Sequence, residues 1–414
     1  MVGGKKLLIT NAFDPLKNKQ IDLAVSDGFI VSADESTDPD ETLDAEGRMV
    51  FPGFVNIHTH LDKADLLYQM RPSDFGKSLE ENRMLLRRFK KQYSTESLKS
   101  RAKKAALEML ENGVTAVRSQ VDVDSTGGLT ALKALKQLKQ ELGKQLNLSL
   151  CAFPQQGVLD PASRDLLDES LSFGADLLGG LPAVEGAVAN QKKHVDALFE
   201  LALKYDVDLE VQVDESNDPR HFILPYLAEK TIENNMQGRV SATHAISLSA
   251  QSPQVAGETI KLLKKAGVNV IVTPGPNLVT RFNLPGGVHS RPSNSITLVK
   301  ELLAGGVNVA LGTDNIRDIF YPIGNASILR ELYALAVSTR MTGQQDGLKL
   351  LEIASINGAK IMGLNYGLEP GCVADLILLE ARHPRDLLNT KSLIPYVIKG
   401  GDVVSRIHVE RWVA

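Results

Sequence analysis

The sequence lacks the features that mark several protein classes. It has only two cysteines, Cys151 and Cys372, in 414 residues, too few for a disulfide framework and in keeping with a reducing compartment. It has no excess of one charge. The 46 basic residues face 50 acidic ones, a net of −4, which excludes a strong nucleic-acid footprint and gives no attraction to an anionic membrane surface. No apolar run approaches the roughly 20 residues of a membrane span. The first ten residues, MVGGKKLLIT, offer few apolar positions before Asn11 and Asp14 and do not read as a signal peptide. The expectation is a soluble cytoplasmic protein with neither nucleic-acid nor membrane partners. An apolar fraction of 43% with 23% charged residues is an ordinary globular composition. Histidine is scarce as well, eight in the whole chain, and the positions of those eight matter most.

Both ends of the chain read as short strands. LLITNAF, DLAVSDGFIVSA and TLDAEGRMVFPG at the start, and CVADLILLEA and YVIKGGDVVSRIHV at the end, are rich in strand formers and punctuated by Asp-Gly, Glu-Gly and Pro-Gly turns. They predict a small β-sandwich domain built from both termini, residues 1–52 plus 366–414. Between them, residues 53–365 alternate. Apolar runs such as VNIHTH, VTAVRSQVD, LSLCAFPQ, VDLEVQVDE, RVSATHA and VNVALGTD are separated by helical patterns such as SLKSRAKKAALEMLENG and GETIKLLKKAG. Several of these patterns end in glycine just before the next strand, as in ENGVTAV and KKAGVNV. Eight strand–helix units in about 300 residues predict a (β/α)8 TIM barrel. A doubly wound open sheet shares the same alternation. Residues 64–112 read as a helical excursion after the first barrel strand, with RRFKK as a solvated helix face.

The chemistry concentrates at predicted strand ends. His58 and His60 flank Thr59 in FVNIHTHLDK. Alternate strand residues point the same way, so the two imidazoles form a ready metal-binding pair. Asp314 closes VNVALGTD. In a closed barrel the eighth strand lies beside the first, which brings this carboxylate to the same ion; as an isolated feature it would also serve as a helix N-cap. His244 ends the sixth strand at the same face. Glu215, just past the fifth, is a carboxylate of the kind that shuttles protons beside an activated water, or else a surface-loop acid. His194, His383 and His408 read as surface positions on helices or the β domain. His221 and His289 fall in strand-to-helix connections.

In order along the chain, FVNIHTHLDKADLL, VRSQVDVD, LCAFPQQGVLD, LEVQVDESNDP, VSATHAISLSA and LGTDNIRDIFYPIGNASIL, with the tail GLEPGCVADLILLEA, resemble the successive motifs of the bacterial cytosine deaminase branch of the amidohydrolase superfamily. The resemblance covers essentially the whole chain. It implies one divalent metal ion per subunit, zinc or iron, held at the barrel mouth by His58, His60 and Asp314, with Gln212 as a weak ligand or hydrogen-bond partner. It implies that Asp314 takes a proton from the attacking water, that His244 orients that water and that Glu215 carries protons to the leaving nitrogen. Gln155 and Asn315 would hold the polar edge of a flat substrate, Phe320 would close over its ring, and the protein would be a homo-oligomer. The chain departs from the family pattern at Gln212 and Gln120, where the pattern has histidine, and at Asn315, where it has a second carboxylate. An amide oxygen is a weaker zinc ligand than imidazole, yet two histidines and a carboxylate still make a three-ligand set. The reading is a metal-dependent hydrolase or deaminase that cleaves a C–N bond of a small nitrogen heterocycle. The alternative is a catalytically degenerate paralogue that binds a ligand without turnover. A sugar-binding barrel would need paired carboxylates across a cleft, and none is evident.

Overall fold

Asp27 and Gly28 both take positive φ (53° and 84°), the backbone that a two-residue hairpin turn requires and that glycine adopts at no steric cost. The structure, a computed structural model, describes residues 5–32, 38–71, 79–279, 296–388, 393–410 and 412. The turn follows strands β1 (Leu7–Asp14) and β2 (Lys19–Ser26) and leads into β3 (Phe29–Val31); β4 (Glu41–Asp44) and β5 (Met49–Pro52) complete the N-terminal set. They join Leu376–Leu379, Tyr396–Lys399 and Asp402–Arg406 in one mixed eight-stranded sheet, β5 running antiparallel to Leu376–Leu379. Both chain ends therefore build this layer. Side chains alternate across it. Val50, Leu376, Leu378 and Ile398 face a core of their own with Leu7, Ile9 and Leu23. Met49, Phe51, Ile377, Leu379 and Val397 turn instead into the large core shared with the rest of the molecule.

That larger body is an eight-stranded parallel sheet in simple sequential order. Its strands are β6 (Phe54–Thr59), β7 (Val114–Asp122), β8 (Asn147–Phe153), β9 (Leu177–Gly180), β10 (Leu209–Val213), β11 (Val240–His244), β12 (Asn269–Val272) and β13 (Val309–Leu311). Nearly every strand residue is buried, as a parallel sheet covered by helices requires. The sheet closes on itself. Asp314 N–H donates to the His58 carbonyl at 2.8 Å, and His60 N–H donates to the Asp314 carbonyl at 3.2 Å. This bridge between the first and last strands makes a barrel of what alternation alone left open between barrel and open sheet.

Among the described residues, the excursion after β6 holds a 3-10 turn (Leu66–Gln69) and two α-helices, α1 (Leu79–Lys90) and α2 (Thr95–Glu111). Ser94 caps α2 by accepting from Ser97 N–H at 3.2 Å, satisfying one of the free donors of the first turn. The RRFKK run is only partly a solvated face. Arg87, Arg88 and Lys91 are exposed, but Lys90 is buried because its ammonium reaches Asp122 and Asp124. His194, expected at a surface, is buried between Glu185 (2.9 Å) and the Leu181 N–H (3.2 Å). His221 is exposed, and His289 lies outside the described residues. No helix among the described residues is long and apolar enough to cross a membrane.

Gly312 stands at the closure. A Cβ there would lie 2.4 Å from the His58 carbonyl oxygen and 2.6 Å from its Cβ, against neighbouring backbone that cannot swing aside. Gly312→Ala is expected to cost about 1–3 kcal/mol of stability, read as a lower midpoint in urea denaturation.

Candidate active site

The barrel ends gather five polar side chains. His58 and His60 leave β6 on the same side with ring centroids 5.3 Å apart, and the His244 ring stands 5.7 Å from that of His58. Asp314 Oδ1 lies 3.5 Å from His58 Nε2 and 3.3 Å from His60 Nε2. Gln212 reaches in from β10, its Nε2 3.4 Å from each of those nitrogens. Asp314 and His244 both take left-handed backbone (φ 57° and 73°), which costs about 1 kcal/mol or more at a non-glycine residue and collects at functional sites.

These groups fit a divalent cation. The ligand atoms of His58, His244 and Asp314 lie within 4.8 Å of one another. His58 Nδ1 is engaged by the buried Glu210 carboxylate, the pairing that orients metal-ligating imidazoles and turns their other nitrogen to the metal. Burial opposes a charged His58, but Glu210 and Asp314 outweigh it and hold its pKa up, to about 9. Burial also opposes an ionised Asp314, yet hydrogen bonds from both imidazoles keep it well below the usual carboxylate range. The two carboxylates thus favour positive charge at His58 Nε2. His244 is held from behind, with Asn277 Nδ2 donating to Nδ1 at 3.0 Å and Thr273 Oγ1 at 3.1 Å, which leaves Nε2 to carry the proton.

A second cluster, His60, Asp62 and Asp122, has metal-like spacing but contains its own cation. Lys63 Nζ lies 2.6 Å from Asp122, 2.9 Å from His60 Nδ1 and 3.5 Å from Asp62. Burial works against the Lys63 charge, and Asp122 and Asp62 more than restore it. Burial and then Lys63 push His60 down, to about 4. Sequence reasoning missed Glu210, Lys63, Asp122 and Lys90. The one signal for Glu210 was an acid inside the strand run LEVQV, two positions from Gln212 and so on the same strand face.

The other expected site residues ring the mouth without touching the histidines among the described contacts. Asn315 is buried and donates to Asp318 at 2.5 Å. Phe320 is half-buried against Leu66, Leu86 and Ile319. Gln155 and Glu215 are half-buried just past β8 and β10. Gln120 lies beneath, its Nε2 3.5 Å from His58 Nδ1.

Comparison with known proteins places this architecture. Residues 49–404 match the Amidohydrolase family. The chain belongs to the amidohydrolase family. It is 29% identical to the N-isopropylammelide isopropyl amidohydrolase of Pseudomonas sp. strain ADP, over 97% of this chain and 98% of that protein. It is 26% identical to the pterin deaminase of Rhizobium rhizogenes, over 93% and 88%. The crystal structure of 5-methylcytosine deaminase from Klebsiella pneumoniae liganded with phosphonocytosine superposes with a TM-score of 0.90 at 29% identity, covering 98% of this chain and all of the other.

Two predictions arise from this geometry. Glu210→Gln removes the carboxylate behind His58 and is expected to weaken zinc binding about 10- to 100-fold, measured by titration against a competing chelator. Behind His244, Glu331 accepts from Gly275 N–H at 2.6 Å and from the Tyr321 hydroxyl at 3.2 Å, fixing the short helix that carries Asn277. Burial lifts this carboxyl from 4.5 to about 7. The folded state therefore holds the proton more tightly than the unfolded one. Its stabilising contribution is complete below the unfolded pKa and is lost as pH rises through about 7. Glu331→Gln should leave urea stability at pH 4 nearly unchanged or lower, and raise it relative to the parent at pH 8 by at most roughly 3 kcal/mol.

Proposed function

We propose that this amidohydrolase uses one divalent ion, zinc or iron, to hydrolyse a C–N bond of a small cyclic nitrogen heterocycle. The observation that carries the reading is the meeting of His58, His60, Gln212, His244 and Asp314 at the C-terminal ends of the parallel strands, the face on which such barrels perform chemistry. The names of the similar proteins support it, since 5-methylcytosine, pterin and N-isopropylammelide are all flat nitrogen rings. The lysine inside the second cluster supports a single ion.

His58 and Asp314 would hold the ion, with His60 beside them and the Gln212 amide oxygen turned inward by a half-rotation. When bound, the ion supplies Lewis acidity that brings the pKa of water toward about 7. Asp314, kept ionised, accepts a proton from the attacking water. His244 would donate from Nε2 to the oxygen of the attacking water and so orient it, its ring fixed by Asn277 and Thr273. Glu215 carries a proton to the departing nitrogen, so that water's oxygen stays on the carbon and an amine or ammonia leaves. Gln155 and Asn315 hold the ring's polar edge and Phe320 covers its face.

The test is metal analysis of the purified chain together with turnover of cytosine, 5-methylcytosine, pterin and N-isopropylammelide by zinc- and iron-loaded protein. One retained ion per chain and hydrolysis of at least one ring are expected, both lost in Asp314→Asn. Failure to retain an ion after reconstitution would overturn the reading. An ion retained without turnover, with activity gained in Gln212→His, would favour the degenerate paralogue instead.

A further inference from the structure

Beside Gln155 lies a cavity of about 160 Å³ whose other walls are Arg83, Leu86, Arg87 and Lys90 of α1, with Ala183 and Val184 past β9. The four α1 positions recur at spacings of three and four, so one helical face supplies three cationic side chains to one space. Lys90 is answered by Asp122 and Asp124. Arg83 and Arg87 form no ion pair among the described residues, and Arg83 Nε is buried without an acceptor. Arg101 and Arg118 also bury an Nε without an acceptor, but their terminal nitrogens are engaged, as are those of Arg317. Arg118 meets Glu210, Arg317 meets Asp65 and Glu108, and Arg101 donates to the carbonyls of Ala64 and Asp62. A buried donor left without an acceptor costs about 1–3 kcal/mol. Arg83 is therefore placed for an acceptor that the described residues do not provide, with the exposed Arg87 beside it. A planar guanidinium matches carboxylate or phosphate oxygens in pairs.

We infer that this cavity receives an anionic oxygen group, carboxylate or phosphate, carried by the heterocyclic substrate. The inference rests on the proposed function in taking the ring to lie against Gln155, which walls the cavity as well. The metal centre and the cavity are joined by the chain of contacts His60, Lys63, Asp122 and Lys90. Under the inference, a substituent of a ring held at the first runs along these side chains into the second. At about 30 Å³ per water molecule, the 160 Å³ space holds roughly five waters, enough for one such group.

Calorimetric binding to the zinc-loaded protein tests this with matched pairs: cytosine against 5-carboxycytosine, pterin against pterin-6-carboxylate, and adenosine against adenosine monophosphate. At least one anionic member is expected to bind about 10- to 100-fold more tightly than its neutral partner. In the double variant Arg83→Gln/Arg87→Gln that ratio should collapse toward one. Arg88→Gln, an exposed position on the same helix, should preserve it, and zinc content should match the parent in both variants. A preference in the carboxylate pairs alone assigns the group as carboxylate, and one in the nucleotide pair alone as phosphate. The inference is overturned if no anionic member outbinds its partner, or if the ratio survives in the double variant. Because binding is read without turnover, charge-selective binding with no hydrolysis would sink the proposed function and leave this cavity's role standing.

Discussion

The site depends on one pair of backbone hydrogen bonds, from Asp314 to His58 and from His60 to Asp314. They close the barrel, and the same three residues contribute the two imidazoles and the carboxylate. Closure and site assembly are thus one event. A register slip of one residue would turn His58 and His60 to the other face of β6 and dissolve both. Gly312 lets β13 approach β6 this closely, and the left-handed turn at Asp314 then swings the carboxylate over the barrel end. That local strain persists because packed strands on either side determine it.

The second constraint is charge. Asp62, Asp122, Asp124, Glu210 and Asp314 are all buried near this mouth, and an isolated buried carboxylate is expensive. Each has a cationic neighbour. Lys63 lies against Asp62 and Asp122, Lys90 spans Asp122 and Asp124, Arg118 and His58 hold Glu210, and both imidazoles hold Asp314. Lys63 and Lys90 place fixed ammonium groups around Asp122, next to His60, so the proposed ion is left to the His58–Asp314 side. Lys90 also ties α1 to the barrel. A helix that would otherwise be one more charged surface segment becomes a wall of the mouth.

Much of this was legible in the sequence. The period-two spacing of His58 and His60, the glycine-ended helices and the strand-like termini carry the architecture, because each follows from local geometry. The meeting of Asp314 with the histidine pair followed from strand order once closure was assumed. The partners of charges were not legible. Lys90 sits in RRFKK among residues that are solvated, and only the fold shows that its position on α1 faces Asp122 and Asp124. His194 looked like a helix surface residue for the same reason, since helical periodicity does not reveal that Glu185, on a separate turn, lies behind it. Lys63, three residues from His60, was in plain view, yet an ion pair across strands is a property of the closed sheet.

The two glutamines show how the fold reinterprets a pattern. In the sequence, Gln120 and Gln212 are separate departures from the family motif. In the structure both approach His58, one near Nδ1 at 3.5 Å and one near Nε2 at 3.4 Å. Both changes meet at the His58 ring, and Gln212 reaches His60 as well. An amide neither titrates nor binds zinc as imidazole does, so replacing two imidazoles removes basicity from that neighbourhood. Glu210 stands on the same face of β10 as Gln212 and supplies a full negative charge to His58, with Thr243 and Arg118 fixing its oxygens at 3.1 and 3.2 Å. A carboxylate behind one ligand strengthens that ligand's hold on a cation. Under the proposed function the electrostatic demand of a cation therefore falls mainly on His58 and Asp314, with the Gln212 amide as a weaker, neutral donor.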